Sequence, residues 1–292
     1  MTALPPAIHS AVTDALGPVT STRPLSGGDV SHAALVTAGK VQCVVKWRDQ
    51  TPPVFFPMEA DGLRRLGVAN ALRVPQVLAA SDTPAFLALE YLPPQPPVDE
   101  RAFTQRFAEG LAALHHIASP NGRYGLAHDN FLGSQPQPNG WVDTWPDFYR
   151  TRRLLPQWDK ARGRGLIPPH RERLLGEVVD ALDTLLDFPA RPVLVHGDLW
   201  SGNFLSIAND MPALIDPAVH YADREVEMAY VELFGGFPRG FVQAYNRVFP
   251  LEAGYERRRR PLHQLYPLLV HLNHFGESYG PSVDRACTDA LA

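Results

Sequence analysis

Cys43 and Cys287 are the only thiols in 292 residues. Two cysteines are too few for a disulfide framework, and they fit a reducing compartment. No run of roughly 18 apolar residues occurs, so no membrane-spanning helix is expected. Met1 to Gly17 has neither the basic start nor the apolar centre of a secretory leader, and an unexported, cytoplasmic protein is the expectation. Charge of one sign is also scarce. A net charge of −4 and a pI near 6.2 give no field to gather nucleic acid or an anionic membrane. The expected partner is therefore a small molecule or a protein, with the oligomeric state left open. His115, His116, His271 and His274 lack a metal-ligand spacing with cysteines or acids, and they read as core or surface positions.

Proline is what the chain has in excess: 29 residues, about twice the usual ~5% share. Many turns and stiff loops follow. Otherwise 45% apolar and 20% charged residues is ordinary globular usage, and the length suffices for two lobes. Two β-leaning stretches, 30–37 and 41–47, are split by a turn at Ala38-Gly39-Lys40. In the second, alternation puts Val41, Cys43, Val45 and Trp47 on one face and Lys46 on the other. A helix is expected from near Pro57 to near Gly67, with Glu59 off its apolar stripe. Two more apolar runs, 74–80 and 85–92, complete five strands if the segment before Gly27 is counted. Pro93-Pro94-Gln95-Pro96-Pro97 can continue neither strand nor helix, which makes it the seam between an N-terminal lobe, 1–94, and a C-terminal lobe, 95–292. Beyond the seam the pattern is helical. Asp99 can cap a helix carrying Phe103, Phe107, Leu111 and Leu114, and another runs through Leu175, Val178 and Leu182. The segment 130–140 reads as loop, Pro261 and Pro267 predict a break or kink within 262–275, and Arg257-Arg258-Arg259-Arg260 reads as a solvated helix face.

The chemistry is concentrated in His196-Gly197-Asp198-Leu199-Trp200-Ser201-Gly202-Asn203, followed by Leu214-Ile215-Asp216-Pro217. An Asp, an Asn five residues on and a second Asp at a strand end are the parts needed for phosphoryl transfer. Asp198 is the candidate general base. Asn203 and Asp216 offer hard oxygens to Mg²⁺. Lys46 and Glu59 could form an ion pair that aims the ammonium at nucleotide phosphates, although Asp61 is an available rival for the lysine. Ser26-Gly27-Gly28-Asp29 is the candidate phosphate loop, without a full G-x-G-x-x-G pattern.

These residues resemble the fructosamine kinase (ketosamine-3-kinase) family, whose fold is protein-kinase-like and related to aminoglycoside phosphotransferases and choline kinases. The resemblance rests on the Trp-containing loop 196–203, on Asp129-Asn130-Phe131-Leu132-Gly133, on Leu214-Ile215-Asp216-Pro217-Ala218, on Asp223-Arg224-Glu225 and on Glu232-Leu233-Phe234-Gly235-Gly236-Phe237. It extends over nearly the whole chain. It implies an α+β bilobal fold, with a small antiparallel β-rich N-lobe and a larger, mainly helical C-lobe. It also implies ATP and Mg²⁺ as cofactors, with Lys46, Glu59, Gly27 and Gly28 on the nucleotide and the backbone of Glu90-Tyr91-Leu92 on adenine. The implied reaction is phosphorylation of the 3-hydroxyl of a small-molecule or protein-bound ketosamine, a protein deglycation step. Trp200 is either a wall for the sugar or packing for the loop. Asp223 reads as a helix cap and a partner of the catalytic loop. The rival readings are a kinase for an aminoglycoside, choline or another amino alcohol, and a nucleotide-binding pseudokinase scaffold.

Overall fold

The computed structural model describes residues 4–25 and 31–292. Helix α1 (Pro6–Leu16) starts on a proline, where a missing N–H costs no helical hydrogen bond. It buries Ile8 and Val12 against one face of an antiparallel sheet. The strands are β1 (Val19–Pro24), β2 (His32–Ala38), β3 (Val41–Trp47), β4 (Val77–Asp82) and β5 (Ala85–Glu90), in the order β1-β2-β3-β5-β4. Alternation decides what each face buries. Cys43, Val45, Trp47, Phe86 and Ala88 lie under α1, while Val44, Lys46, Leu87 and Leu89 point to the opposite side. There α2 (Phe55–Ala69) packs Phe56, Ala60 and Leu63 against Leu87 and Leu89, so the face that carries Lys46 also receives the helix that carries Glu59.

The proline run 93–97 holds neither helix nor strand. Asp99 then caps α3 (Glu100–Leu114) by accepting the N–H groups of Arg101 and Ala102 at 2.9 Å, and Phe103, Phe107, Leu111 and Leu114 are buried along one face. There follow β6 (Asn130–Leu132), β7 (Gln135–Gln137), α4 (Trp145–Phe148), α5 (Leu155–Gly163), α6 (Pro169–Leu185) and β8 (Val193–Val195). Next come the hairpin β9 (Phe204–Ile207) and β10 (Met211–Leu214), and β11 (His220–Ala222), which pairs with β8. The chain ends in α7 (Glu225–Phe234), α8 (Phe241–Val248), α9 (Arg260–Phe275) and α10 (Gly280–Leu291). One apolar core runs from α2 through α3 to α7 and α8, and therefore ties the two lobes together; a second joins α5, α6, α9 and α10. Polar ties reinforce the first. Leu214 N–H donates to Arg73 O at 2.8 Å, and Gln95 N–H to Ser206 O at 2.8 Å.

The structure corrects several sequence expectations. The run 74–80 becomes strand only at Val77, because Pro75 has no N–H for a ladder, and β5 stops at Glu90. The loop expected at 130–140 is instead the β6–β7 hairpin, held by buried amides that carry no apolar periodicity. Asn130 Nδ2 donates to Val219 O at 2.9 Å, while Gln137 and Asn139 both donate to Asn130 Oδ1 at 2.8 and 2.7 Å. Helix α9 is continuous through Pro267. The carbonyl of His263, which would lose its i+4 donor to that proline, accepts from the Tyr149 hydroxyl at 3.2 Å. In the arginine run, Arg257 and Arg258 are exposed, but Arg259 is buried on Glu225 at 2.6 and 2.9 Å and Arg260 meets Glu232 at 3.0 Å.

Candidate active site

The face of β3 that turns from α1 delivers Lys46 to a cleft of about 860 Å³ between the lobes. Lys46 Nζ donates to Glu59 Oε1 at 2.6 Å and to Asp216 Oδ1 at 2.9 Å. Asp61 is not its partner: that carboxylate accepts from Arg65 at 2.6 Å and lies 3.1 Å from His128. Burial works against the lysine's charge, yet Asp216 and Glu59 outweigh it and hold the ammonium above the usual lysine range. Asp216 adopts a left-handed φ of 55°, a conformation more accessible to Asp than to most residues. Helix α2 sits directly on the segment that follows, with Gly62 facing Pro217 and Val219 so closely that an added Cβ would meet them at 3.2 and 3.4 Å.

Asp198 is held at both oxygens. Tyr230 Oη donates to Oδ1 at 2.7 Å, and Asn203 Nδ2 donates to Oδ2 at 3.0 Å and to the Asp198 carbonyl at 2.8 Å. Burial pushes the Asp198 carboxyl up to about 7; the charge of Asp216 adds to this, and the hydrogen bonds from Tyr230 and Asn203 oppose it. Such a group holds a proton weakly near neutral pH, which is what proton transfer from an alcohol requires. Asn203 also accepts Ile215 N–H at its carbonyl, at 3.0 Å, and so couples the loop to the strand end that carries Asp216.

The loop is set from behind by Glu227, which the sequence pattern did not single out, and by His115, which it placed only as a core or surface position. Glu227 on α7 accepts Gly197 N–H at 2.9 Å and His196 N–H at 3.2 Å, and His115 donates to it from Nε2 at 2.8 Å. The loop's partner is thus Glu227 and not Asp223, whose carboxylate accepts the N–H groups of Glu225 and Arg191. His196, kept neutral by burial, donates from Nε2 to Ile215 O at 2.8 Å and accepts Asp198 N–H at Nδ1, 3.3 Å away. At Gly197, φ is 84° and a Cβ would meet the Ala218 carbonyl carbon at 2.8 Å, so glycine is required. The one available signal for Glu227 was an acid on the otherwise apolar side of a short helix.

Leu92 is buried and lines the cleft with Val44, Leu89 and Tyr91. The Glu90 side chain turns elsewhere, to Arg73 and to Gln76 N–H at 3.0 Å, and its own N–H donates to Gln76 O at 2.9 Å, which leaves its carbonyl to offer a ligand. Gly27, Gly28 and Asp29 lie outside the described residues. Trp200 packs the loop and also borders the cleft. Its indole covers Gly202, where an added Cβ would come within 2.5 Å of Cζ2, and it remains 40% exposed on the cleft.

The family model for fructosamine kinase matches residues 4–292. A probable ketoamine kinase of Synechocystis is 35% identical over 278 residues, which cover 92% of this chain and 90% of the relative. The crystal structure of a candidate fructosamine-3-kinase from Thermobifida fusca superposes with a TM-score of 0.88 at 35% identity, across 98% of each chain. An aminoglycoside phosphotransferase shares the fold at 19% identity, with a TM-score of 0.65 over 98% of this chain and 99% of its own.

Proposed function

Because this chain belongs to the fructosamine kinase family, we propose that it transfers the γ-phosphoryl group of ATP to the 3-hydroxyl of a ketosamine, a ribulosamine or fructosamine adduct of an amine such as a lysine side chain. The observation that carries the reading is Asp198: a carboxylate held at both oxygens, poised near neutral pH, in a cleft that also contains the Lys46–Glu59–Asp216 cluster. Asp198 takes the proton of the acceptor hydroxyl as its oxygen bonds to the γ-phosphorus and the bond to the bridging oxygen breaks, releasing ADP. Lys46, aimed by Glu59, exchanges Asp216 for the nucleotide phosphates. The adenine sits against Leu92 and the main chain of Glu90–Leu92, and the proline run 93–97 divides a nucleotide lobe, 1–94, from an acceptor lobe, 95–292.

The donor set suits Mg²⁺. Asn203 spends its amide nitrogen on Asp198, which leaves its oxygen for a ligand, and Asp216 spends Oδ1 on Lys46. Two such hard oxygens with nucleotide phosphates are the kind of set Mg²⁺ takes. When bound, it neutralises charge on the transferring group. A ketosamine 3-phosphate is unstable and releases its amine, so the reading includes cytoplasmic protein deglycation. The test is ADP release and 3-phosphate formation from ribulosyl- and fructosyl-lysine with ATP and Mg²⁺. No transfer to any ketosamine, beside rapid transfer to another amino alcohol, would overturn it.

A further inference from the structure

Beyond Asp198 the cleft changes character. The ring of Tyr230, whose hydroxyl holds Asp198, lies 5.6 Å from that of Phe234; Phe234 lies 4.5 Å from His271, and His271 lies 5.5 Å from Phe275 and 5.0 Å from Tyr279. All five line the cleft, as does Trp200. Among the described residues lining it, the lysine and the carboxylates are Lys46, Glu59, Glu90, Asp198 and Asp216, and each belongs to the nucleotide end or to the reacting centre. Burial holds the His271 imidazole below its usual range, so it adds no cation at neutral pH, and the exposed His274 is the other imidazole lining this end.

The ring-lined wall is braced from outside the cleft. Phe275 ends α9 and Tyr279 precedes α10, and the corner between these helices is clamped by the buried Arg171 of α6. Arg171 donates to both oxygens of Glu277 at 2.9 Å and to both oxygens of Asp284 at 2.7 and 3.0 Å. Bidentate pairing on two sides fixes orientation as well as distance. Phe275 is therefore kept in place although it is 52% exposed.

We propose that this wall seats the organic substituent on the ketosamine nitrogen and selects acceptors whose substituent is uncharged, aliphatic or aromatic. The inference rests on the ketosamine reading and extends it to the part of the acceptor that does not react. In a ketosamine, two carbons separate C3 from the nitrogen, so with the 3-hydroxyl at Asp198 the substituent falls on the adjacent rings. Aromatic faces receive alkyl and aryl groups, and the methylenes beside an ammonium, favourably. A further charge there meets no lysine, arginine or carboxylate on the wall to pair with it. For the same reason the wall is a poor seat for a polycationic aminoglycoside.

The experiment is a series of fructosamines that share the sugar and differ at the amine: benzylamine and butylamine adducts against 1,4-diaminobutane and β-alanine adducts, at saturating ATP. Neutral substituents should give kcat/KM about 10- to 100-fold above both charged ones, with KM for ATP constant across the series. Phe275→Ala, at an exposed position that is not expected to affect folding, should shrink that preference several-fold and leave KM for ATP unchanged. Equal or better turnover of the charged adducts, or a preference untouched by Phe275→Ala, would overturn the proposal alone. Failure of every member would overturn the ketosamine reading, and this inference with it.

Discussion

At one end of the cleft, each charge is held at hydrogen-bond distance: Lys46 by Glu59 and Asp216, and Asp198 by the neutral donors Asn203 and Tyr230. At the other end, rings from α7, α9 and the α9–α10 corner stand beside one another with no ion pair among them, and Trp200 of the loop lines the same cleft. The first end tolerates little change, because a buried charge without its partner is costly and phosphoryl transfer depends on orientation. The second needs only apolar surface of suitable shape, which many residue combinations supply. Chemistry and substrate choice can therefore be altered separately, and variants at the two ends should leave different kinetic signatures.

The largest effect belongs at the centre, where the two ends meet. Asp198→Asn should lower kcat by roughly two to four decades with both KM values little changed, because it removes the proton acceptor and keeps the shape. An unchanged turnover in a steady-state assay would end the general-base assignment. Lys46→Met should cost roughly 10²-fold in kcat/KM for ATP, since it removes the cation and leaves Glu59 and Asp216 facing each other, while KM for the acceptor stays put. If KM for the acceptor rose as much as KM for ATP, the separation of the two ends would be wrong.

A pH profile sharpens the same contrast. With the Asp198 carboxyl pushed up to about 7 by burial, the group is protonated below that pH and cannot accept the hydroxyl proton. Turnover should then fall about ten-fold per pH unit on the acid side and level off above pH 7. Tyr230→Phe removes a hydrogen bond to the charged form, which favours the protonated form, so the limb should move to higher pH. A limb that stayed in place would mean that another group sets it.

The charged end was the more legible in the sequence, for a physical reason. Asp198, Asn203 and Asp216 have few substitutes, and their spacing follows from one loop and one strand end. Lys46 could be put on the correct face of β3 by alternation alone. Glu59 could not be separated from Asp61 by pattern, because the choice is made by how α2 seats on Pro217 and Val219. Polar groups buried without periodicity left no signature either. Glu227 under the loop and the Asn130–Gln137–Asn139 amides were legible only in three dimensions. The same holds for the ring-lined wall, which collects residues from positions 200 to 279 that no local pattern connects. Five strands, a proline run free of helix and strand, and the capped helix α3 were readable because turn chemistry, proline and alternation act locally.

The smallest predicted effect is the most selective one. Gly202 lies in the turn between Trp200 and Asn203, and its backbone is not in the left-handed region, so alanine is acceptable there on conformational grounds. The obstacle is the indole of Trp200, which a new methyl would meet within 2.5 Å at Cζ2. The ring has to swing away, and the cleft is the side on which it is already exposed. Gly202→Ala should therefore raise KM for the acceptor by about 3- to 10-fold, leave KM for ATP unchanged and hardly alter kcat, because Asp198 and Asn203 keep their hydrogen bonds. If KM for ATP rose instead, the turn itself would have moved, and Trp200 would belong to the charged end rather than to the wall.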